Sequence, residues 1–141
     1  MLIGLDPLLT PDLLHALASM GHGESIALVD ANYPATRGRR LVRLPGTDIV
    51  PALHAVLSLL PLDSFIPNPA ATMQVVNEPG AVPRVVAAMN AVLAAHGHGA
   101  AAALERHEFY AAAEAAYCLV QTGVRRFYGN ILLTKGVIPP K

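Results

Sequence analysis

Apolar positions along the chain change period several times, and each change marks an element. Thr10-Pro11-Asp12 has the makings of a helix start: a hydroxyl cap, a proline at the first helical position and an acid facing the positive end of the helix dipole. Leu13, Leu14, Leu17 and Met20 follow at helical spacing, and Gly21 is expected to close the helix as a left-handed cap. Residues 25–29 form a short apolar run cut off at Asp30, the pattern of a buried strand. A polar loop with Pro34 and Gly38 leads to a strand over 40–44, stopped by Pro45-Gly46. Thr47-Asp48 caps a second helix expected to reach Leu60, with Pro51 tolerated in its first turn.

The pattern predicts a strand over 73–76 and a helix over 83–95 with Val85, Val86, Met89, Val92 and Leu93 on one side. Residues 97–104 stay undecided, because alanine favours helix while the flanking glycines interrupt it. Helical spacing resumes over 108–120, and residues 131–133 form a last short strand before Pro139-Pro140. Alternating helices and strands imply a layered α/β domain. The alanine-rich stretches 87–95 and 100–116 read as closely packed helices.

Length and composition narrow this further. The 141 residues fit one domain. Hydrophobic residues make up 53% and charged residues only 14%, so part of the apolar surface is expected between subunits. Ten basic and ten acidic residues balance, which removes the general electrostatic case for nucleic acid or an anionic membrane. Cys118 is the single cysteine and cannot form an intramolecular disulfide; it reads as a buried thiol. The first nine residues lack the basic start of a signal peptide, and no apolar run reaches the roughly 18 residues of a membrane span. A cytoplasmic protein with a small neutral ligand is the expectation.

Three segments carry candidate chemistry. In Gly21-His22-Gly23-Glu24 the two glycines leave the imidazole unobstructed. Asp30-Ala31-Asn32-Tyr33-Pro34 follows a strand end, where open α/β sheets place ligand-binding groups. Tyr128-Gly129-Asn130 joins an aromatic face to a carboxamide just before a strand, a combination suited to a sugar ring. Taken singly, His22 is equally a surface histidine, Asp30 a turn residue and Tyr128-Gly129-Asn130 an ordinary turn. Glu105-Arg106-His107-Glu108-Phe109-Tyr110 is a further polar and aromatic cluster. His96-Gly97-His98 lacks the ligand set of a metal site. Arg37, Arg39, Arg40 and Arg43 form a basic patch, read as a solvated or intersubunit face. His15 and His54 read as packing or surface residues.

In combination, and in this order, Gly21-His22-Gly23-Glu24, Asp30-Ala31-Asn32-Tyr33-Pro34-Ala35 and Tyr128-Gly129-Asn130-Ile131-Leu132-Leu133 with Lys135-Gly136-Val137 resemble the family of L-fucose mutarotases and D-ribose pyranases. They look more like the fucose branch. The resemblance implies a single-domain three-layer α/β sandwich in a ring-shaped homo-oligomer, a decamer, with sites near subunit contacts and a strand around 100–106. It implies His22 as the catalytic acid, sugar contacts from Asp30, Arg106, Tyr128, Gly129 and Asn130, and neither cofactor nor metal. The chemistry is hemiacetal opening and closing, which needs a group exchanging protons near neutrality, and free histidine titrates at about 6.5. An L-fucose mutarotase, a D-ribose pyranase and a non-catalytic sugar-binding module all remain open at this point.

Overall fold

Thr10 opens the first helix as expected, its hydroxyl accepting the Leu13 N–H at 3.3 Å. In the computed structural model, which describes residues 1–36 and 40–141, the elements run α1 (Pro11–Ser19), β1 (Ser25–Val29), β2 (Arg40–Leu44), α2 (Ile49–Leu57), β3 (Ala70–Met73), α3 (Arg84–Ala95), β4 (Ala102–Leu104), α4 (Arg106–Glu114), β5 (Cys118–Thr122) and β6 (Ile131–Thr134). Arg37 and Arg39 of the basic patch lie outside the described residues.

The strands form one sheet in the order β2-β5-β1-β6-β3-β4. β2, β5 and β1 run parallel, as do β3 and β4, while β6 lies antiparallel between β1 and β3. Side chains alternate across the sheet. Ile26, Leu28, Val120, Ile131 and Leu133 point toward a core closed by α1, α2 and α3. Ala27, Val29, Leu119 and Leu132 point the other way, against Phe109 and Ala113 of α4. The result is three layers. Burial on both faces is why β1 reads as an unbroken apolar run rather than an alternating one. On the α4 face, Ala27, Ala71, Ala113 and Ala116 let helix and sheet approach closely, and fully buried Phe109 fills the layer. Burying a side chain of that size contributes about 1.5–3 kcal/mol.

Four expectations are corrected. Gly21 is not the left-handed cap: α1 ends in extended Met20, and Gly23 takes the positive φ of 83°. α2 stops at Leu57, and Leu59 and Leu60 turn back to bond the Val56 carbonyl. The third strand sits at Ala70–Met73, not 73–76. Its alanines carry little strand signal but pair on both sides, with β6 and β4, while Val75 forms only an isolated bridge to Glu78. The helix expected over 108–120 ends at Glu114, and Cys118–Thr122 is a strand paired with both β1 and β2. Periodicity cannot separate a short buried apolar run from helix, and tertiary pairing decided this one. The undecided stretch holds β4, as the resemblance implied.

Cys118 is fully buried within β5, and burial pushes its thiol up to about 11, against weaker pulls from the Val42 N–H and the Arg40 charge. The thiolate is the reactive form. We expect negligible reaction with a disulfide reagent at about pH 8 in native protein and one reacting thiol per chain in urea. Rapid labelling of the native protein would contradict this placement.

Candidate functional site

The antiparallel register of β1 and β6 brings the end of one beside the start of the other, with Leu28 opposite Ile131. Asp30 and Asn130 therefore meet. The Asn130 carboxamide accepts the Asp30 N–H at 2.8 Å through Oδ1 and donates to Asp30 Oδ2 at 3.0 Å through Nδ2. Asp30 Oδ1 accepts the Asn32 N–H at 2.9 Å. Both side chains are buried, and this bonding fixes the carboxylate in one orientation at the floor of a cleft of about 290 Å³.

The cleft walls come from three further segments. Arg106 is the first residue of α4, whose start is capped by the Glu105 carboxylate accepting from the His107 and Glu108 N–H groups at 2.8 and 3.3 Å. Tyr110 lies one turn on, hence on the same face, with its ring 5.5 Å from that of Tyr33. Arg106, Tyr110 and Tyr33 all line the cleft. The opposite wall is Phe127 and Tyr128. Tyr128 sits in the left-handed region at φ 66°, a conformation that costs a non-glycine residue about 1–2 kcal/mol. Its hydroxyl accepts the Val76 N–H at 3.1 Å. Gly129 is buried behind it, where a Cβ would meet Val124 Cγ1 at 2.9 Å. The Arg126 guanidinium bonds both oxygens of Asp48, at 2.7 and 2.9 Å, tying the loop to the cap of α2.

His22 lies elsewhere. It occupies the tip of a turn in which Glu24 Oε2 accepts the Gly21 N–H at 2.7 Å, and Gly23 and Glu24 exchange backbone bonds with Lys135. The Lys135 ammonium donates to the carbonyls of Leu17 and Met20 at 2.8 and 2.6 Å, closing the negative end of α1. His22 Nε2 stands 3.2 Å from Oδ1 of Asp63, with side-chain exposures of 45% and 4% respectively. The Phe65 ring centroid is 5.6 Å from that of the imidazole. The Phe65 N–H, donating at 3.0 Å, holds the Asp63 carboxyl below its usual value; burial opposes this, and His22 adds to the lowering. Gly136 has to be glycine here, because a Cβ would stand 2.5 Å from the Leu62 carbonyl oxygen.

The structure thus brings Asp30, Arg106, Tyr128 and Asn130 together around one cleft, places Gly129 behind its wall, and leaves His22 at the other end of β1. The five strand residues between them span about 16 Å at about 3.3 Å each, far more than a monosaccharide ring. Sequence reasoning missed Asp63 altogether, since nothing local distinguishes it. Tyr33, Tyr110 and Phe127 stood within the quoted segments without a role. His96 pairs through Nε2 with Nδ1 of His54 at 3.1 Å, rather than with His98; burial and then the neighbouring histidines hold His96 below its usual value. Among the described residues no group of three or more His, Cys, Asp or Glu side chains is gathered as a metal set. In the basic patch, Arg40 lies over the Tyr117 ring at 4.2 Å and Arg43 bonds Gln121.

Residues 3–138 match the RbsD / FucU transport protein family. The chain belongs to that family. The fucose mutarotase of Homo sapiens is 43% identical over 143 residues, covering 96% of this chain and 93% of its own. The L-fucose mutarotase of Haemophilus influenzae (strain 86-028NP) is 38% identical over 99% of both chains. The crystal structure of the fucose mutarotase in complex with L-fucose from Streptococcus pneumoniae superposes with a TM-score of 0.91 at 35% identity, covering 98% of this chain and 100% of that one. Membership of the RbsD / FucU family accounts for the mixed six-stranded sheet, whose order is otherwise not deducible from the sequence pattern. Among the described residues no helix is long and apolar enough to cross a membrane.

Asn130 satisfies both the buried Asp30 N–H and its carboxylate. Asn130→Ala removes the partner of the Asp30 N–H and of Oδ2, leaving the carboxylate its Asn32 bond alone, and should cost about 1–3 kcal/mol, measured by urea denaturation, together with weaker sugar binding. Unchanged stability and affinity would show that Asn130 does not hold Asp30.

Proposed function

We propose that this chain is a fucose mutarotase, which interconverts the α and β anomers of free L-fucose by opening and reclosing the ring. The observation that carries the reading is the Asp30 carboxylate, locked by Asn130 and Asn32 at the floor of an aromatic-walled cleft, in a chain similar over nearly its whole length to fucose mutarotases. A neutral polyol needs oriented acceptors and donors together with a flat apolar wall. Asp30, Asn130 and Arg106 supply the first, Tyr33, Tyr110 and Phe127 the second. Met73 and Val76 add an aliphatic corner suited to the methyl group of a 6-deoxy sugar, which a pentose lacks.

Anomer exchange moves a proton from the anomeric hydroxyl and delivers one to the ring oxygen as the C1–O bond breaks. The open-chain aldehyde turns about C1–C2, and both transfers reverse on closure. In this scheme His22 gives its proton to the ring oxygen, solvent water takes the one leaving the anomeric hydroxyl, and Asp30 holds the sugar. Since one chain separates them, the cleft of one copy is completed by His22 of another. The surfaces are suited to this: Phe65 beside His22 and Ile138 beyond Gly136 are 73% and 81% exposed, and Phe127 at the cleft is 78% exposed. Joining two different surfaces of identical chains is a head-to-tail contact, which closes into a ring when the rotation permits. The homodecamer and the sugar contacts of Arg106 and Tyr128 belong to the same proposal, as does a cytoplasmic location, which the lone unpaired thiol supports. Proton transfer of this kind requires no cofactor.

General acid–base groups contribute about 10²- to 10⁴-fold. His22→Ala should lower the anomer exchange rate by that order, read by saturation-transfer NMR, with fold and assembly intact. Asp30→Asn should weaken sugar affinity in calorimetry more than it slows exchange. His22→Ala exchanging L-fucose at the parent rate would return His22 to the status of a surface histidine.

A further inference from the structure

We propose that the pocket at the carboxyl ends of β1, β2 and β5 binds a phosphate dianion between Arg43 and Arg125, either as the free ion or as the phosphoryl group of a sugar ester whose ring lies in the neighbouring cleft. Only the ester form rests on the sugar reading of that cleft.

The three strands run parallel, with Arg43 opposite Gln121 and Gln121 opposite Val29, so the segments that leave them emerge side by side. Open α/β sheets place their ligands at such ends. Pro45 after β2, Gly123 and Arg125 after β5, and Ala31 and Asn32 after β1 line a pocket of about 600 Å³, larger than the sugar cleft. Asn32 and Phe127 line both, so the two spaces adjoin. Arg43 also lines the pocket, and no Asp or Glu does.

These two cations are held in place without being neutralised. Gln121 Nε2 donates to the carbonyls of Ala31 and Tyr33 at 3.4 and 3.2 Å. Its Oε1 therefore faces the other way and accepts from Arg43 at 2.9 Å. A carboxamide orients the guanidinium but leaves its charge and its remaining N–H donors unspent. Arg125 is exposed, and among the described residues no carboxylate pairs with it. The neighbouring arginines differ, since Arg126 is bound to both oxygens of Asp48 and Arg40 lies over the Tyr117 ring. Asp30 lines the cleft instead, bonded by Asn130 and Asn32. Two unneutralised guanidiniums lining one concavity draw in anions. A carboxylate, with a single charge, matches one guanidinium fork; a phosphate dianion has the charge and the oxygens to engage both.

The test titrates inorganic phosphate into the assembled protein by calorimetry at low ionic strength. Saturable binding is expected, and Arg43→Gln combined with Arg125→Gln should weaken it at least about tenfold. Anomer exchange of L-fucose by that double variant should stay within about twofold of the parent, because neither arginine lines the cleft. L-Fucose 1-phosphate, whose blocked anomeric oxygen prevents ring opening, separates the two sources. Affinity at least about tenfold above that of inorganic phosphate assigns the ester, and equal affinity assigns the free ion; either sustains the site. No saturable binding of either compound, or binding undiminished in the double variant, overturns it. Should the double variant fail to assemble, the arginine Nε–H signals of the unaltered protein decide: those of Arg43 and Arg125 should shift with phosphate, and stillness in both overturns the site. Parent-rate exchange by His22→Ala, which would overturn the catalytic assignment of His22, leaves the phosphate titration standing.

Discussion

Both the Asp30 cleft and the His22–Asp63 contact depend on the antiparallel pairing of β6 with β1. At its start β6 sets Asn130 against Asp30; at its end Thr134 and Lys135 hold Asp63 and the His22 turn by backbone bonds. One strand of four residues therefore fixes two constellations at opposite ends of the central strands. A register slip by one residue would turn Ile131 and Leu133 away from the core shared with α1 to α3 and would carry Asn130 out of reach of Asp30. The buried faces of β6 enforce the register, and the register enforces the chemistry.

Rigidity at both strand ends bears on how the two constellations can be combined. Neither the cleft nor the His22 turn can reach the other by a loop movement, because β1, buried from Ile26 to Val29, lies between them. A catalyst that uses both has to borrow one from a second copy. The cleft also carries strain: Tyr128 is held at positive φ between a buried glycine crowded by Val124 and a hydroxyl bonded across to Val76. Such strain persists where the surroundings over-determine a residue, and here it aims an aromatic ring along the cleft wall.

Much of this was legible in the sequence for identifiable reasons. Thr10 and Asp48 cap helices with their own side chains, and residues 25–29 form a strand because both faces of β1 are buried. Asp30 stood at a strand end and Asn130 in a segment whose residue types suit a sugar, and the resemblance grouped them before the pairing of β6 explained why. What was not legible depended on contacts distant in the chain. β3 and β4 are built from alanines that pair because their neighbours are strands. β5 has helical spacing but lies between two strands that require it to extend. Asp63 sits in a stretch with no local signature, and its meeting with His22 is made by Gly136, more than seventy residues further along. Local propensity carries none of that information.

The central claim is that a working site takes its cleft from one copy and its histidine from another. It is tested most directly by mixing two variants, His22→Ala and Asp30→Ala, dissociating and reassembling them together, and following fucose anomer exchange at low sugar concentration. Each alone lacks one half of every site. In an equal random mixture about a quarter of the head-to-tail contacts join an intact cleft to an intact His22, so the account predicts recovery to roughly that fraction of the parent rate. Exchange in the mixture no faster than the average of the two variants measured separately would contradict it, and would place the whole site within one chain.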